Sequence, residues 1–272
     1  MKRSTYAVTL LLAWAGTCGI SLGQSSPAQP SEKEILSRAM ERSLANDRRR
    51  SEQAYSFRHL RISEKLNKQA QPTRVERRLY QVVPVGNVRY ERLLEKDGKP
   101  LNEKEQEAER RNEQKFRRSI ERARDGGRPD EDEIRFNRDL VDRYHFRVEG
   151  TEELHGREVY RLTFEPKSGK LPVRRRIDRA LNNSRGSVWL DQESYEIVRV
   201  EFELMRPTRI WGGILGSISR VDGRLDRKEG RDGHWFPSYF RLYLNGRILF
   251  RSLHSRLESH WSDFVPVAER SE

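Results

Sequence analysis

Three stretches decide the fold class: EVYRLTFEPK (residues 158–167), GSVWLD (residues 186–191) and YEIVRVEFEL (residues 195–204). In the first and third of them apolar side chains alternate with polar or charged ones, and in the second Val188 and Leu190 face opposite to Trp189. The clearest alternation sets Val198, Val200, Phe202 and Leu204 against Arg199, Glu201 and Glu203. A period of two is typical of a strand with one buried face and one face in water. The three stretches therefore predict antiparallel strands that share an apolar face.

The same period continues outward from these stretches. Toward the N-terminus it predicts a strand with Tyr55, Phe57 and His59 on one side, a second strand that contains Val75, Leu79 and Val83, and a third strand over residues 88–94. Toward the C-terminus it predicts strands over residues 218–226, 235–244 and 247–257, with Asn245-Gly246 as a hairpin turn between the last two. Strands and helices do not alternate, so the chain is predicted to be mainly β, with helices packed on one side of a long, curved antiparallel sheet.

Helical patterns are expected at two places. Ser31 can cap a helix with Glu34 three residues later, and the helix carries an apolar stripe of Ile35, Leu36, Ala39, Met40 and Leu44. Residues 101–145 are expected to form a charged helical insertion. Its first part, to residue 124, has high helix propensity but almost no apolar stripe, and a shorter helix is predicted over residues 131–143.

The N-terminus has the pattern of a secretory signal peptide. Lys2 and Arg3 precede an apolar run that is too short to span a bilayer, and small residues precede a cleavage site near Gly23-Gln24. We therefore expect residues 1–23 to be removed, residues 24–30 to be a disordered leader, residues 31–272 to form a single domain, and the protein to be periplasmic. The residues before Cys18 do not fit a lipid-attachment signal.

Composition narrows the function classes. The formal net charge is +12, but many acidic residues lie among the basic ones. Outside the cytoplasm such a charge favours an anionic membrane surface or an envelope protein over nucleic acid. The only cysteine is Cys18, so the mature chain has no thiolate for a metal or a nucleophile. The histidines lack metal-binding spacing, and no hydrolase or phosphate-binding motif is present. We expect no catalytic residues, metal or cofactor, and a monomer.

Four stretches carry a recognisable pattern: the strand ending in Pro166-Lys167, the GSVWLD stretch, the YEIVRVE stretch (residues 195–201) and, more loosely, GHWFP (residues 233–237). Their pattern resembles that of the LolA/LolB-like superfamily of envelope lipoprotein-sorting proteins. The resemblance covers about half of the mature chain, from about residue 145 onward. It implies an unclosed half-barrel of about eleven strands, with helices on its concave side and an apolar cavity for acyl chains. The charged insertion and the basic character depart from the carriers of this superfamily.

Two groups of residues are candidates for function. The apolar cavity is predicted to be lined by Tyr160, Leu162, Phe164, Val198, Val200, Phe202, Leu204, Phe240, Leu242 and Leu244. Docking to a membrane or a partner is predicted for Arg174, Arg175, Arg176, Arg206, Arg209 and Trp211. Periodicity alone leaves two interpretations open: a carrier of a lipid or acylated ligand, or a structural or sensory envelope module with a filled core that acts through protein contacts.

Overall fold

The computed structural model describes residues 30–52, 55–85, 88–122, 134–175, 177–210, 216–248 and 251–267. The helices are α1 (Glu32–Glu52), α2 (Glu103–Arg122), α3 (Arg138–Val141) and α4 (Asp178–Leu181). The strands are β1 (Tyr55–Leu66), β2 (Pro72–Val85), β3 (Val88–Lys96), β4 (Lys99–Pro100), β5 (Tyr144–Leu154), β6 (Arg157–Pro166), β7 (Ser184–Asp191), β8 (Ile197–Leu204), β9 (Thr208–Ile210), β10 (Gly216–Glu229), β11 (Trp235–Ile248) and β12 (Arg251–Pro266).

All twelve strands belong to one antiparallel sheet. The order is β4-β3-β2-β1-β12-β11-β10-β8-β7-β6-β5, and β9 pairs with β10 beside this path. Within the described residues the end strands β4 and β5 do not pair with each other, so the sheet is open and not closed into a barrel. The predicted mainly β fold with an unclosed sheet of about eleven strands is confirmed.

The register separates the two faces of the sheet. Residues directly opposite each other in an antiparallel pair project to the same side. One such row runs through Leu162, Val188, Val200, Leu225 and Phe240, and it defines what we call the inner face. The neighbouring row runs through Trp189, Arg199, Asp226, Tyr239 and His260 on the opposite, outer face. The inner row is apolar and the outer row is largely polar, as the period of two predicts.

Helix α1 covers part of the inner face. The amide of Glu34 donates to the Ser31 hydroxyl oxygen at 3.3 Å, which confirms the predicted cap. Ile35, Leu36 and Ala39 are buried against inner-face residues of β6 and β7. Leu44, predicted to extend this stripe, is instead exposed, because the apolar contact of α1 lies in its first turns.

A buried charge also attaches α1 to the sheet. The Glu196 carboxylate is almost fully buried and accepts hydrogen bonds from Arg42 at 2.8 Å and Asn46 at 2.5 Å, both on α1. Its other oxygen accepts from Arg227 on β10 at 3.0 Å. Since an unpartnered buried charge is costly, these contacts hold the helix in one position.

Helix α2 confirms the predicted helix over the first part of the charged insertion. It lies against β3, where Arg92 forms two hydrogen bonds to Glu113, at 2.8 and 2.9 Å. The Tyr90 ring contacts the Phe116 ring at 5.1 Å, and its hydroxyl donates to Glu109 at 2.6 Å. The helix is therefore attached to the sheet mainly through polar pairs. Contacts of this kind do not produce an apolar stripe in the sequence.

Several local predictions are wrong. Asn245-Gly246 lies inside β11 and not in a hairpin turn, because β11 and β12 stay paired as far as Ile248 and Arg251. The described part of the predicted 131–143 helix contains only α3, which Asn137 caps, and Ile134 is exposed.

Gly186 and Gly223 make room for two aromatic rings on the inner face. A Cβ atom on Gly186 would lie 1.9 Å from the Glu201 carbonyl oxygen and 2.9 Å from the Phe164 ring. A Cβ atom on Gly223 would lie 2.4 Å from the Phe202 ring. The two glycines face Phe202 in the register, so Phe202 lies between them across neighbouring strands.

We predict that Gly186→Ala lowers the free energy of unfolding by about 1–3 kcal/mol, the usual cost of overpacking, because the obstructing atom is backbone. Urea denaturation measures this directly. Ser187→Ala, on the same strand but the other face, is the matched control and should stay within about 0.5 kcal/mol of the wild type. Equal stability of the two variants would contradict the close approach of β7 and β8.

Candidate functional site

The predicted cavity residues, with the exception of Val198, lie on the inner face. Val198 packs instead with Val159, Trp189 and Trp235 on the outer face. The cause is an irregularity between β7 and β8, where Trp189 pairs with Arg199 but Leu190 pairs with Ile197, so that Val198 has no partner in the register. One extra residue reverses the phase of the side chains that precede it.

The inner face has two zones. Beside α1, Tyr160 and Leu162 are buried in the core together with Val188 and Leu190. Further along the sheet lies a zone that we call the apolar strip, whose side chains are all half-buried. It consists of Phe202, Leu204, Val221, Leu225, Phe240, Leu242, Leu244 and Leu257.

The apolar strip is not part of a packed core. In the portion of the chain that the structure describes, none of its residues belongs to a buried hydrophobic cluster or to the apolar side chains packed against one. Phe164 and Val200 lie between the two zones, and Val200 still packs against the α1 core. The strip therefore offers apolar surface that the described helices leave partly open.

Stacked aromatic rings lie at one end of the inner face. Phe236 stacks on Phe264 with centroids 4.1 Å apart, and Phe57 stacks on Phe264 at 4.8 Å. Beside them is a cleft of about 100 Å³, also lined by Tyr55 and Arg89. Burial, together with the hydrogen bond to Asp232, raises the pKa of Tyr55 to about 12, so this tyrosine remains a neutral donor.

A polar trio, His59, Arg61 and Glu91, lies next to these rings. The His59 Nδ1 is 3.1 Å from a Glu91 carboxylate oxygen, and Arg61 donates to both oxygens of the same group, at 3.2 and 2.9 Å. The hydrogen bond from His59 lowers the pKa of Glu91; burial opposes this and the charge of Arg61 supports it. The His59 side chain is 5% exposed, and its Nε2 has no hydrogen-bond partner among the described residues.

No sequence motif marks the trio as a site, because His59 is one member of the alternating series with Tyr55 and Phe57. The signal in the sequence is that a histidine occupies a position of an otherwise apolar face. Its partner Glu91 lies two strands away, and no spacing along the chain brings the two together.

The structure describes the side chains of only three of the predicted docking residues: Arg174, Arg175 and Arg206. The Arg174 side chain is 77% exposed, and Arg206 is exposed as well. Arg175 instead folds back onto Asp178, to which it donates two side-chain hydrogen bonds, at 3.1 and 3.0 Å. Arg176, Trp211 and the side chain of Arg209 lie outside the described residues, so a docking role for this group stays a prediction.

Asp178 organises the loop that carries these arginines. It is fully buried, accepts the backbone amides of Arg174 and Arg175 at 2.8 and 3.0 Å, and pairs with the buried Arg143 at 3.3 Å. Burial acts to raise the pKa of Asp178, but these hydrogen bonds and the Arg143 charge outweigh it and lower the pKa to about 2. The carboxylate is thus a structural anchor.

We predict that Asp178 makes stability depend on pH in the acid range. A carboxyl group with a lowered pKa stabilises the fold above its unfolded value near 3.8, and this contribution is lost as pH falls toward 2. The free energy of unfolding of Asp178→Asn should be lower than that of the wild type at pH 6, and the difference should shrink at pH 2.5. Urea titrations of both proteins at the two pH values test this; a constant difference would contradict it.

Among the described residues, no group of three or more His, Cys, Asp or Glu side chains is placed to hold a metal ion. None of the helices that the structure describes is long and apolar enough to cross a membrane.

No protein-family model matches the chain, and no curated protein does either. Solved structures with a similar fold include a LolA superfamily protein from Nitrosomonas europaea, 13% identical over 87% of this chain and 93% of that one, with a TM-score of 0.36. A putative outer membrane lipoprotein-sorting protein domain from Vibrio parahaemolyticus is 13% identical over 87% and 94%, with a TM-score of 0.35. The lipoprotein LppX from Mycobacterium tuberculosis is 10% identical over 86% and 96%, with a TM-score of 0.27.

The architecture described above stands on the strand order and register of this chain itself.

Proposed function

We propose that this protein is a non-catalytic binding protein that holds the acyl chain of a lipid or of an acylated protein on the inner face of its sheet. The observation that carries the proposal is the apolar strip: a set of large aliphatic and aromatic side chains, half-buried on neighbouring strands and outside the described core clusters. Such a surface stays in contact with water unless a ligand or a partner covers it.

The chemistry of the strip suits an acyl chain. Each CH₂ group that leaves water contributes about 0.8 kcal/mol, so a chain that contacts the strip over six to eight carbons gains about 5–6 kcal/mol before binding costs are subtracted. One row of paired residues crosses four strands and consists of Phe202, Gly223, Leu242 and Leu257. Gly223 is the one member of this row that has no side chain. A row of this kind offers a continuous apolar track along which a flexible chain can lie.

The other face of the same strands is polar. There Arg199 pairs with Asp226 at 2.6 Å, and Arg224 also pairs with Asp226, at 2.8 Å. Arg241 and Glu258 belong to the same polar face. This contrast between a polar outer face and an apolar inner face supports ligand binding on the inner face.

We further propose that the protein is exported to the bacterial periplasm, where residues 1–23 are removed. We also propose that it is a monomer and that it docks to an anionic membrane or an envelope protein. The N-terminal sequence pattern supports export, and the exposed Arg174 and Arg206 support a basic docking surface. The alternative is an envelope module whose inner face is filled by its own chain and which acts through protein contacts.

Native mass spectrometry of the protein purified from a bacterial periplasm distinguishes these functions. We expect a stoichiometric added mass that an organic extract of the same sample identifies as a lipid. A protein that stays at its bare mass after incubation with phospholipid vesicles and with oleic acid would contradict the carrier function and favour the filled module.

A pair of neighbouring substitutions then locates the ligand. Leu242→Gln places an amide under the bound chain, and an unpaired amide costs about 1–3 kcal/mol, which corresponds to about 5- to 150-fold weaker binding of cis-parinaric acid by fluorescence titration. Arg241→Gln, one residue away on the outer face, is the control and should bind as the wild type does. Equal affinity of the two variants would place the ligand elsewhere.

A further inference from the structure

His59 combines three features that structural packing alone does not explain. It is buried, its ring stacks on Trp261 with centroids 5.0 Å apart and planes within 12°, and its Nε2 has no partner in the described structure. A buried polar atom without a partner destabilises the structure. A ligand that supplies the missing hydrogen bond removes this penalty.

The position of His59 connects it to the apolar strip. Phe240 of the strip faces Ser259, Ser259 faces Arg61, and Arg61 lies two residues from His59 on the same side of β1. An acyl chain on the strip that points toward β1 therefore ends at the polar trio. Charged and polar groups gathered at the end of an apolar track match the shape of an amphiphile, whose polar end follows its chain.

The partners of His59 determine what its free nitrogen can bind. A carboxylate only accepts hydrogen bonds, so the Nδ1 that contacts Glu91 carries the proton. Glu91 is already balanced by Arg61 at 2.9 Å, so the trio is electrically neutral when the imidazole is neutral. In that state Nε2 presents a lone pair and requires a donor.

We propose that His59 selects the polar end of the ligand by accepting a hydrogen bond from it at Nε2. This assigns the ligand class as acyl compounds whose head group carries a hydroxyl donor, in preference to fatty-acid anions and to esters without a donor. The inference rests on the proposed function, since it needs an acyl chain on the strip, and Glu91 acts as a positioning residue that fixes the imidazole tautomer.

Competition against cis-parinaric acid tests the inference with three ligands of one chain length: 1-monooleoylglycerol, oleate and methyl oleate. The wild type should bind monooleoylglycerol about 3- to 10-fold more tightly than methyl oleate, the range for one neutral hydrogen bond, and oleate no more tightly than methyl oleate. His59→Phe keeps an aromatic ring on Trp261 but lacks Nε2. It should bring the monooleoylglycerol to methyl oleate ratio close to one and leave the affinity for methyl oleate unchanged.

Two further variants sharpen the result. His260→Phe, on the outer face of β12, is the matched control and should keep the wild-type ratio. Glu91→Gln leaves His59 in place but no longer fixes its tautomer, so it should lower the ratio as well, and it serves if His59→Phe fails to fold by circular dichroism.

The outcomes separate the two proposals. If acyl ligands bind but the ratio is the same in the wild type and in the folded variant at His59 or Glu91, the role of His59 is overturned and the carrier function stands. If oleate is the strongest ligand and the preference depends on His59, the imidazole binds an anion and the assigned ligand class is wrong. If none of the ligands displaces the probe because the probe itself does not bind, the proposed function fails and this inference fails with it.

Discussion

The apolar face of a single curved sheet must be covered, and one helix is too narrow to cover all of it. Eleven strands spaced by about 4.8 Å extend over roughly 50 Å, whereas a helix with its side chains is about 10 Å wide. Helix α1 buries the inner face over β6 and β7 and leaves the apolar strip on β8 to β12 half-buried. This mismatch in width produces the candidate site, because the same period of two that folds the strands also continues the apolar face beyond the helix.

The position of α1 on the inner face is set by a buried charge. Glu196 lies in the turn before β8 and takes hydrogen bonds from Arg42 and Asn46 on the helix and from Arg227 on β10. Apolar contacts alone permit a helix to shift along a sheet, whereas the loss of its hydrogen-bond donors costs a buried carboxylate several kcal/mol. The polar network therefore fixes the border between the covered zone and the open zone.

The sequence predicts the strands well because half-buried strands have a short local period, and it predicts the Ser31 cap because capping is also local. It fails where one inserted residue changes the phase. Val198 alternates correctly with Val200 in the sequence, yet the irregularity opposite Trp189 turns it to the outer face. Asn245-Gly246 has the composition of a turn, yet strand pairing continues through it. Arg175 reads as a solvent-facing charge until the fold supplies Asp178 as its partner.

The separation between the core and the strip has a consequence for how such a protein works. The core beneath α1 and the described aromatic cluster around Phe57 are complete without the strip residues. The residues that stabilise the fold and the residues proposed to bind ligand are thus different sets, so the chain can release a ligand without losing its core. A ligand held on the strip mainly by apolar contact would also be released easily, because such contact has no directional bonds to break. The one directional contact proposed, at His59, lies at the end of the track, where it can select the head group while the acyl chain remains free to slide in and out.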